Sequence, residues 1–317
     1  MHLALESVLH PGDEVLVPSL TFVATFQAIS AARAVPVPCE VRADTGTLDL
    51  ADARRRLSGR TRAVVPVHYA SNASGIEGVM SFAQEHGLRV VEDAAHSFGC
   101  RSQGRQIGSF GDVACFSFDG IKNITSGEGG AVVTADRSVL AKVKDARLLG
   151  VERDTEKRYR NERSWDFDVT RQGWRYHMSN LFAAIGRVQL RRFPGEFAPQ
   201  RVALARRYRG RLAALRGVRL FELDLDEVVP HMQPLLVTNG RRDQVMAALA
   251  AQGVAAGLHY KPNHLLSFFG GGRESLPVTE RLYRELISLP LHPGLSLSDV
   301  DQVCDIIERN IFEEKKE

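Results

Sequence analysis

Lys122 stands in the segment Ser117-Phe118-Asp119-Gly120-Ile121-Lys122-Asn123-Ile124-Thr125-Ser126-Gly127-Glu128-Gly129-Gly130, between an apolar run and a glycine-rich loop. An ammonium group held at such a junction, with a strand and a loop to strip its water, can lose its proton and attack a carbonyl. Upstream, Leu88-Arg89-Val90-Val91-Glu92-Asp93-Ala94-Ala95-His96-Ser97 is a β-branched run that ends in two carboxylates. An acid at the end of a buried strand can hold a protonated ring nitrogen, because the nearby cation favours the charged carboxylate. Each segment alone has an ordinary alternative. An arbitrary lysine beside a turn is usually solvated, and a strand followed by Glu-Asp-Ala equally suits a metal site or a helix N-cap. Together, a strand-end acid and a lysine in a glycine-rich loop form the pair that pyridoxal phosphate requires, the lysine for a Schiff base and the acid for the pyridine nitrogen.

Those side chains need elements to position them. Apolar, strand-like runs at 14–17, 35–37, 63–67, 89–91, 113–118 and 130–134 alternate with helix-period segments such as 25–32 and 78–86. The alternation predicts an α/β fold with a mostly parallel, doubly wound sheet covered on both faces. Ligands gather in such folds where strands end in loops. Residues 179–193 carry small and apolar side chains at helical spacing, which predicts a core helix leading towards a second domain, and an Arg/Ala/Leu helix follows Pro194 to about residue 215. The remainder reads as a small α+β unit, with strands near 218–223 and 232–237 and helices near 242–252, 280–286 and 298–309. The expected division is a large domain over 1–193, then the long helix and small α+β domain over 194–317. The charged tail 313–317 is expected to fray.

Composition restricts the function class only broadly. A chain of 317 residues, 44% hydrophobic and 25% charged, can bury an ample core. A net charge of +3 is too small to point to nucleic acid. The Arg-rich stretches 153–163 and 201–216 read as a solvated loop and an amphipathic helix. No apolar run is long enough to span a bilayer and the N-terminus lacks a signal-peptide pattern, so a cytoplasmic location is expected. Cys39, Cys100, Cys115 and Cys304 show neither a CxxC pair nor metal-like spacing with histidines, and no metal site is expected. Cys115 reads as a reduced core residue, whereas Cys100 lies near the lysine–acid pair and is a candidate reactive thiol. Gly127-Glu128-Gly129-Gly130 has the spacing of neither a phosphate-binding Walker loop nor a dinucleotide fingerprint.

Several motifs in order carry a resemblance. Pro11-Gly12-Asp13-Glu14-Val15, Pro18-Ser19-Leu20-Thr21-Phe22-Val23-Ala24-Thr25 and Val65-Pro66-Val67-His68 precede the acid and lysine segments; Gly173-Trp174-Arg175-Tyr176-His177-Met178-Ser179-Asn180 and Leu289-Pro290-Leu291-His292-Pro293 follow them. Through nearly its whole length the chain resembles the sugar aminotransferases of the DegT/DnrJ/StrS group, which have the aspartate-aminotransferase type of fold and use pyridoxal 5′-phosphate. The resemblance implies that Lys122 is the Schiff-base lysine and proton shuttle, that Asp93 pairs with the pyridine nitrogen, and that Phe22 stacks on the ring. It places His96 beside the phenolic oxygen and Ser117 at the phosphate. Arg175 stands where the family commonly has Asn, reaching the phosphate bound by a second subunit, which implies a homodimer with active sites at the interface. Gly257-Leu258-His259-Tyr260-Lys261-Pro262-Asn263-His264 resembles a cleft segment, making His259 or Lys261 a candidate for the substrate diphosphate.

The implied reaction moves an amino group from an amino acid, glutamate for preference, to a keto group on a nucleotide-linked deoxysugar. Alternatives are a cyclitol or aminobenzoate-type aminotransferase of the same family, a dehydrating relative, and a catalytically silent partner subunit. Dehydrating relatives replace the lysine by histidine, so Lys122 argues against that option. The family's Ser-Gly-Thr-like phosphate turn lies ahead of the first helix, and this chain begins inside that helix. The expectation is a start assigned too late, with in-frame upstream codons for the turn.

Overall fold

The computed structural model describes residues 1–151 and 167–312, so the Arg-rich segment 153–163 and the tail 313–317 lie outside the described residues. A six-stranded sheet forms from β1 (Glu14–Pro18), β2 (Val35–Cys39), β3 (Thr61–Val64), β4 (Arg89–Asp93), β7 (Val113–Ser117) and β8 (Gly130–Val133), in the order β2-β1-β3-β4-β7-β8. Its pairings are parallel except that between β7 and β8. A two-stranded hairpin, β5 (Arg101–Ser102) with β6 (Arg105–Gln106), sits between β4 and β7 in the chain.

Alternate side chains of β1 separate the two faces. Val15 and Val17 pack with α1 (His2–Val8), α2 (Val23–Ala31) and α5 (Arg137–Ala146) through Leu5, Phe26, Ile29 and Val143. Leu16 packs on the other face with Ile76, Val79 and Phe82 of α4 (Ile76–His86). The short α3 (Leu50–Arg55) is capped by Asp49, whose carboxylate accepts from the N–H groups of Ala51 and Asp52. Helices therefore cover both faces of the sheet, which is the doubly wound arrangement the alternating pattern predicts.

A second, antiparallel sheet has the order β11-β10-β9, from β9 (Val218–Arg219), β10 (Gln233–Val237) and β11 (Leu286–Leu289). It packs on α7 (Ala198–Leu212), α8 (Arg242–Ala251) and α10 (Leu297–Phe312) through Leu204, Tyr208, Leu235, Leu249, Ile287 and Ile307. A further apolar cluster joins the two sheets, combining Leu20 and Tyr69 with Leu236 and with Leu282 of α9 (Pro277–Glu285). The expected helix at 280–286 thus starts earlier and stops at Glu285, because Leu286-Ile287-Ser288-Leu289 pairs with β10 instead.

One expectation is overturned. The predicted core helix at 179–193 forms as α6 (Asn180–Arg192), capped by the Ser179 hydroxyl, but none of its residues is buried. Leu181 is 79% exposed, and Ile185, Val188 and Leu190 are exposed with it. Helical spacing determines which side chains share a face, not what covers that face, and nothing among the described residues covers this one.

Candidate active site

The loop between β7 and β8 emerges at the C-terminal end of β7, beside the end of β4. It is pinned at both ends: the Phe118 N–H donates to Gly129 O, and the Ser126 N–H to Phe118 O. Glycine is required where it turns back. A Cβ at Gly130 would lie 2.5 Å from the Phe116 carbonyl oxygen, and one at Gly129, where φ is +147°, would strike Met178 at 2.4 Å. Inside the loop the Lys122 N–H donates to Asp119 O and the Ile121 N–H to the Asp119 carboxylate, which turns Lys122 towards the strand ends.

Lys122 lines a cavity of about 580 Å³ that also receives Asp93, His96, Ser117 and Phe22. Five of the residues expected to act together are therefore brought together. Asp93, at the end of β4, is 7% exposed. Its Oδ2 accepts a 2.7 Å bond from the Thr25 hydroxyl and its Oδ1 a 3.2 Å bond from the Ala95 N–H. Phe22, half exposed just before α2, presents its ring to the cavity and lies 5.4 Å from Tyr260, centroid to centroid. His96 is buried, and its Nδ1 accepts from the Ala70 N–H at 3.3 Å. A backbone N–H can only donate, so the ring proton resides on Nε2, 3.1 Å from the Tyr260 hydroxyl.

The chain holds this arrangement by ties between distant segments. Asn263 donates from its side chain to the carbonyls of Ser19 and Thr21, and the Ser19 hydroxyl lies 2.8 Å from His264 Nδ1. These bonds dock segment 259–264 on the loop after β1 and place Tyr260 over His96. Beneath Asp93, the fully buried Glu92 accepts from His68 Nε2 and from the N–H groups of Gly108, Phe110 and Gly111. Burial works to raise its carboxyl pKa, but the bonds from His68, Gly111 and Gly108 outweigh burial and hold it below its ordinary value.

The electrostatics favour neutral nitrogen bases around the lysine. Desolvation lowers the Lys122 ammonium pKa, against the opposing pull of Asp93 and Asp119. Burial first, then the basic neighbours His231, Lys122 and His259, drive His96 well below the ordinary imidazole value. His231 is lowered in the same way, with its ring stacked 4.4 Å from that of His96. A desolvated amine, a carboxylate with both oxygens oriented, an imidazole N–H and a hydroxyl converge on one cavity. This donor set fits an aromatic aldehyde that carries a ring nitrogen and an anionic ester.

The other expected site residues are placed differently. His259 lines the cavity, whereas Lys261 is exposed and outside its lining. Arg175 is exposed and also outside the lining, in a backbone bridge with Leu148. Cys100 is buried against Val229, and burial pushes its thiol pKa up to about 12, which removes it as a reactive group. Cys115 is buried in β7, as expected of a core thiol. No cluster of metal-ligating side chains occurs among the described residues, and no described helix is long and apolar enough to cross a membrane. Sequence reasoning passed over Thr25, His231 and Arg201. Thr25 had a local signal, within the first turn of α2 beside Phe22, whereas Arg201 lies in an Arg-rich helix that reads as solvated and His231 carries no local signal.

A model of the DegT/DnrJ/EryC1/StrS aminotransferase family matches residues 1–308. The UDP-4-amino-4-deoxy-L-arabinose–oxoglutarate aminotransferase of Shewanella sediminis is 32% identical over 97% of this chain and 82% of its own. The crystal structure of S. venezuelae DesV in complex with a ketimine intermediate superposes with a TM-score of 0.88, at 33% identity, over 99% of this chain and 82% of that one. The structure of DesI in the presence of its TDP-sugar product gives a TM-score of 0.85 at 31% identity, over 97% of this chain and 77% of that one.

Proposed function

The chain belongs to the DegT/DnrJ/EryC1/StrS aminotransferase family and is a pyridoxal-phosphate-dependent transaminase, and on that premise we propose that it transfers an amino group from glutamate to a keto group of a nucleotide-linked deoxysugar. The observation that carries this reading is the meeting of Lys122, whose ammonium pKa is lowered by desolvation, and the oriented Asp93 carboxylate in one cavity at the strand ends. Relatives acting on sugars linked to UDP and TDP support the acceptor class. The oxoglutarate in the name of the Shewanella enzyme supports glutamate as donor.

When bound, the coenzyme supplies an aldehyde and an electron-withdrawing ring. Lys122 Nζ, its basicity lowered by desolvation, would take a proton from the reacting carbon and return it to the other side of the transfer. Asp93 would hold a proton at the ring nitrogen, with the Thr25 hydroxyl keeping its carboxylate from rotating away. His96 would donate from Nε2 to an oxygen on the ring, while Ser117 would offer a hydroxyl to the anionic ester and Phe22 would cover one ring face. His259 and Lys261 are the residues proposed to meet the substrate diphosphate. Because α6 leaves its apolar face bare, a homodimer is part of the same proposal, with Arg175 serving the neighbouring subunit's phosphate. A cytoplasmic enzyme is the corresponding location.

The test is spectroscopic. Protein loaded with pyridoxal phosphate should show a visible band that shifts with glutamate and then reverts with a keto-sugar nucleotide as amino sugar forms. In Lys122→Ala the band should vanish and turnover fall by roughly 10²–10⁴-fold or more. A protein whose band ignores every amino donor is a silent partner subunit, not an enzyme.

A further inference from the structure

A second cavity, of about 490 Å³, shares Lys122, Ile121 and His259 with the first but reaches neither Asp93 nor Ser117. Arg201 of α7 and His231, just before β10, form its far wall. Arg201 is 3% exposed, and its guanidinium donates only to neutral carbonyls, those of Leu291 at 2.9 Å, His231 at 3.1 Å, and Pro230 and Lys122 at 3.4 Å. Among the described residues no carboxylate pairs with it, and its Nε has no partner. Desolvation alone accounts for a pKa pushed down to about 10. A charge taken out of water without a counter-ion is costly, and an arriving anion relieves that cost.

The neighbouring groups carry the same bias. His231 is 7% exposed, and its Nδ1 is buried without a hydrogen-bond partner, as is Nδ1 of His259. The groups that bear electrostatically on His231 are Lys122, Arg201 and His259, all basic. The acids of the region, Asp93 and Asp119, act on Lys122 instead.

We propose that this second cavity is an anion pocket for a carboxylate of the amino-acid donor, held by Arg201 and His231 beside the amine of Lys122. The assignment rests on the aminotransferase reading and names the place of the donor within it. Distance along the ligand selects a carboxylate. In an α-amino acid the carboxylate is one bond from the carbon that reacts at Lys122, whereas a nucleotide sugar carries its diphosphate on the far side of a pyranose ring. An anion in contact with both the lysine chamber and Arg201 therefore belongs to the smaller substrate. Charge-assisted donors at a planar guanidinium suit a carboxylate, which accepts two of them at once.

Because Arg201 holds four carbonyls, Arg201→Met can fail for reasons of folding, so the decisive variant is His231→Phe. It keeps a ring against His96 and removes both nitrogens. Binding of succinate to the coenzyme-loaded enzyme is measured by calorimetry, with inorganic phosphate and thymidine diphosphate as separate arms. The expected result is a loss of succinate affinity of roughly tenfold or more in His231→Phe, with affinities for coenzyme and thymidine diphosphate kept within about threefold. The glutamate concentration that half-saturates the band shift should rise in parallel. Succinate that binds the variant as well as it binds the parent protein overturns the proposal. So does a loss confined to thymidine diphosphate or phosphate, which would give the pocket to the acceptor. If glutamate still shifts the visible band in either case, the aminotransferase reading survives without the pocket.

Discussion

At the scale of single residues, the site depends on how few hydrogen bonds hold Asp93 in place. The Thr25 hydroxyl is the side-chain donor on its buried Oδ2, and that hydroxyl is itself 3.0 Å from the Thr21 hydroxyl. Thr25→Val preserves shape while removing the donor. A hydrogen bond to a charged group contributes about 1.5–3 kcal/mol, so kcat/KM should fall roughly 10- to 100-fold. Coenzyme affinity should weaken with it, and the pH at which the visible band titrates should move, a change that a merely structural role would not produce. If the band titrates at the same pH in Thr25→Val, Thr25 does not position Asp93. Asp93 was legible in the sequence because it terminates a β-branched run, and Lys122 because it stands between an apolar run and a glycine-rich loop. Arg201 was not legible. Arginine in an Arg-rich helix reads as solvent-facing, and only the carbonyls of three distant segments, gathered by tertiary packing, bury this one.

At the scale of elements, α6 is informative because its local design and its surroundings disagree. It has a hydroxyl N-cap and an apolar stripe at Leu181, Ile185 and Val188, yet the stripe is bare within one chain. Fully burying a side chain of this kind stabilises by about 1.5–3 kcal/mol, a gain that a second copy would supply. Leu181→Glu with Ile185→Glu should therefore give a monomer by light scattering, with the helix content of the parent protein. Coenzyme affinity should drop as Arg175 loses its target. A double variant that remains dimeric would place the interface elsewhere. The same element shows where pattern reading fails, since periodicity identified the helix and its limits but could not say whether its cover was intramolecular. The strands of the parallel sheet were legible as uninterrupted apolar runs between loops. β11 was not, because Leu286-Ile287-Ser288-Leu289 follows the helix ending at Glu285 with no turn residue between them, and pairing with β10 distinguishes the two.

At the scale of the whole molecule, the two sheets meet around a nest of imidazoles, and their protonation couples the site to stability. His96 and His231 both have folded pKa values well below 6.5, through burial and then through their basic neighbours. The unfolded chain therefore binds more protons than the folded one as pH falls through about 6.5. Their contribution is complete above that value and is lost progressively below it. The thermal midpoint of the parent protein should fall as pH is lowered from about 7 to 5, and His231→Phe should flatten that slope by differential scanning calorimetry. An equal slope in the variant would assign the acid sensitivity to other groups.

Glu92 fixes what can be varied around this architecture. Four donors converge on one fully buried carboxylate beneath the strand end, so any replacement would strand several amides at once. Attempts to reprogram this catalyst for a new sugar will therefore find the foundation intolerant. Useful diversity lies instead at the rim, where His259 lines the cavity and Lys261 is exposed outside its lining.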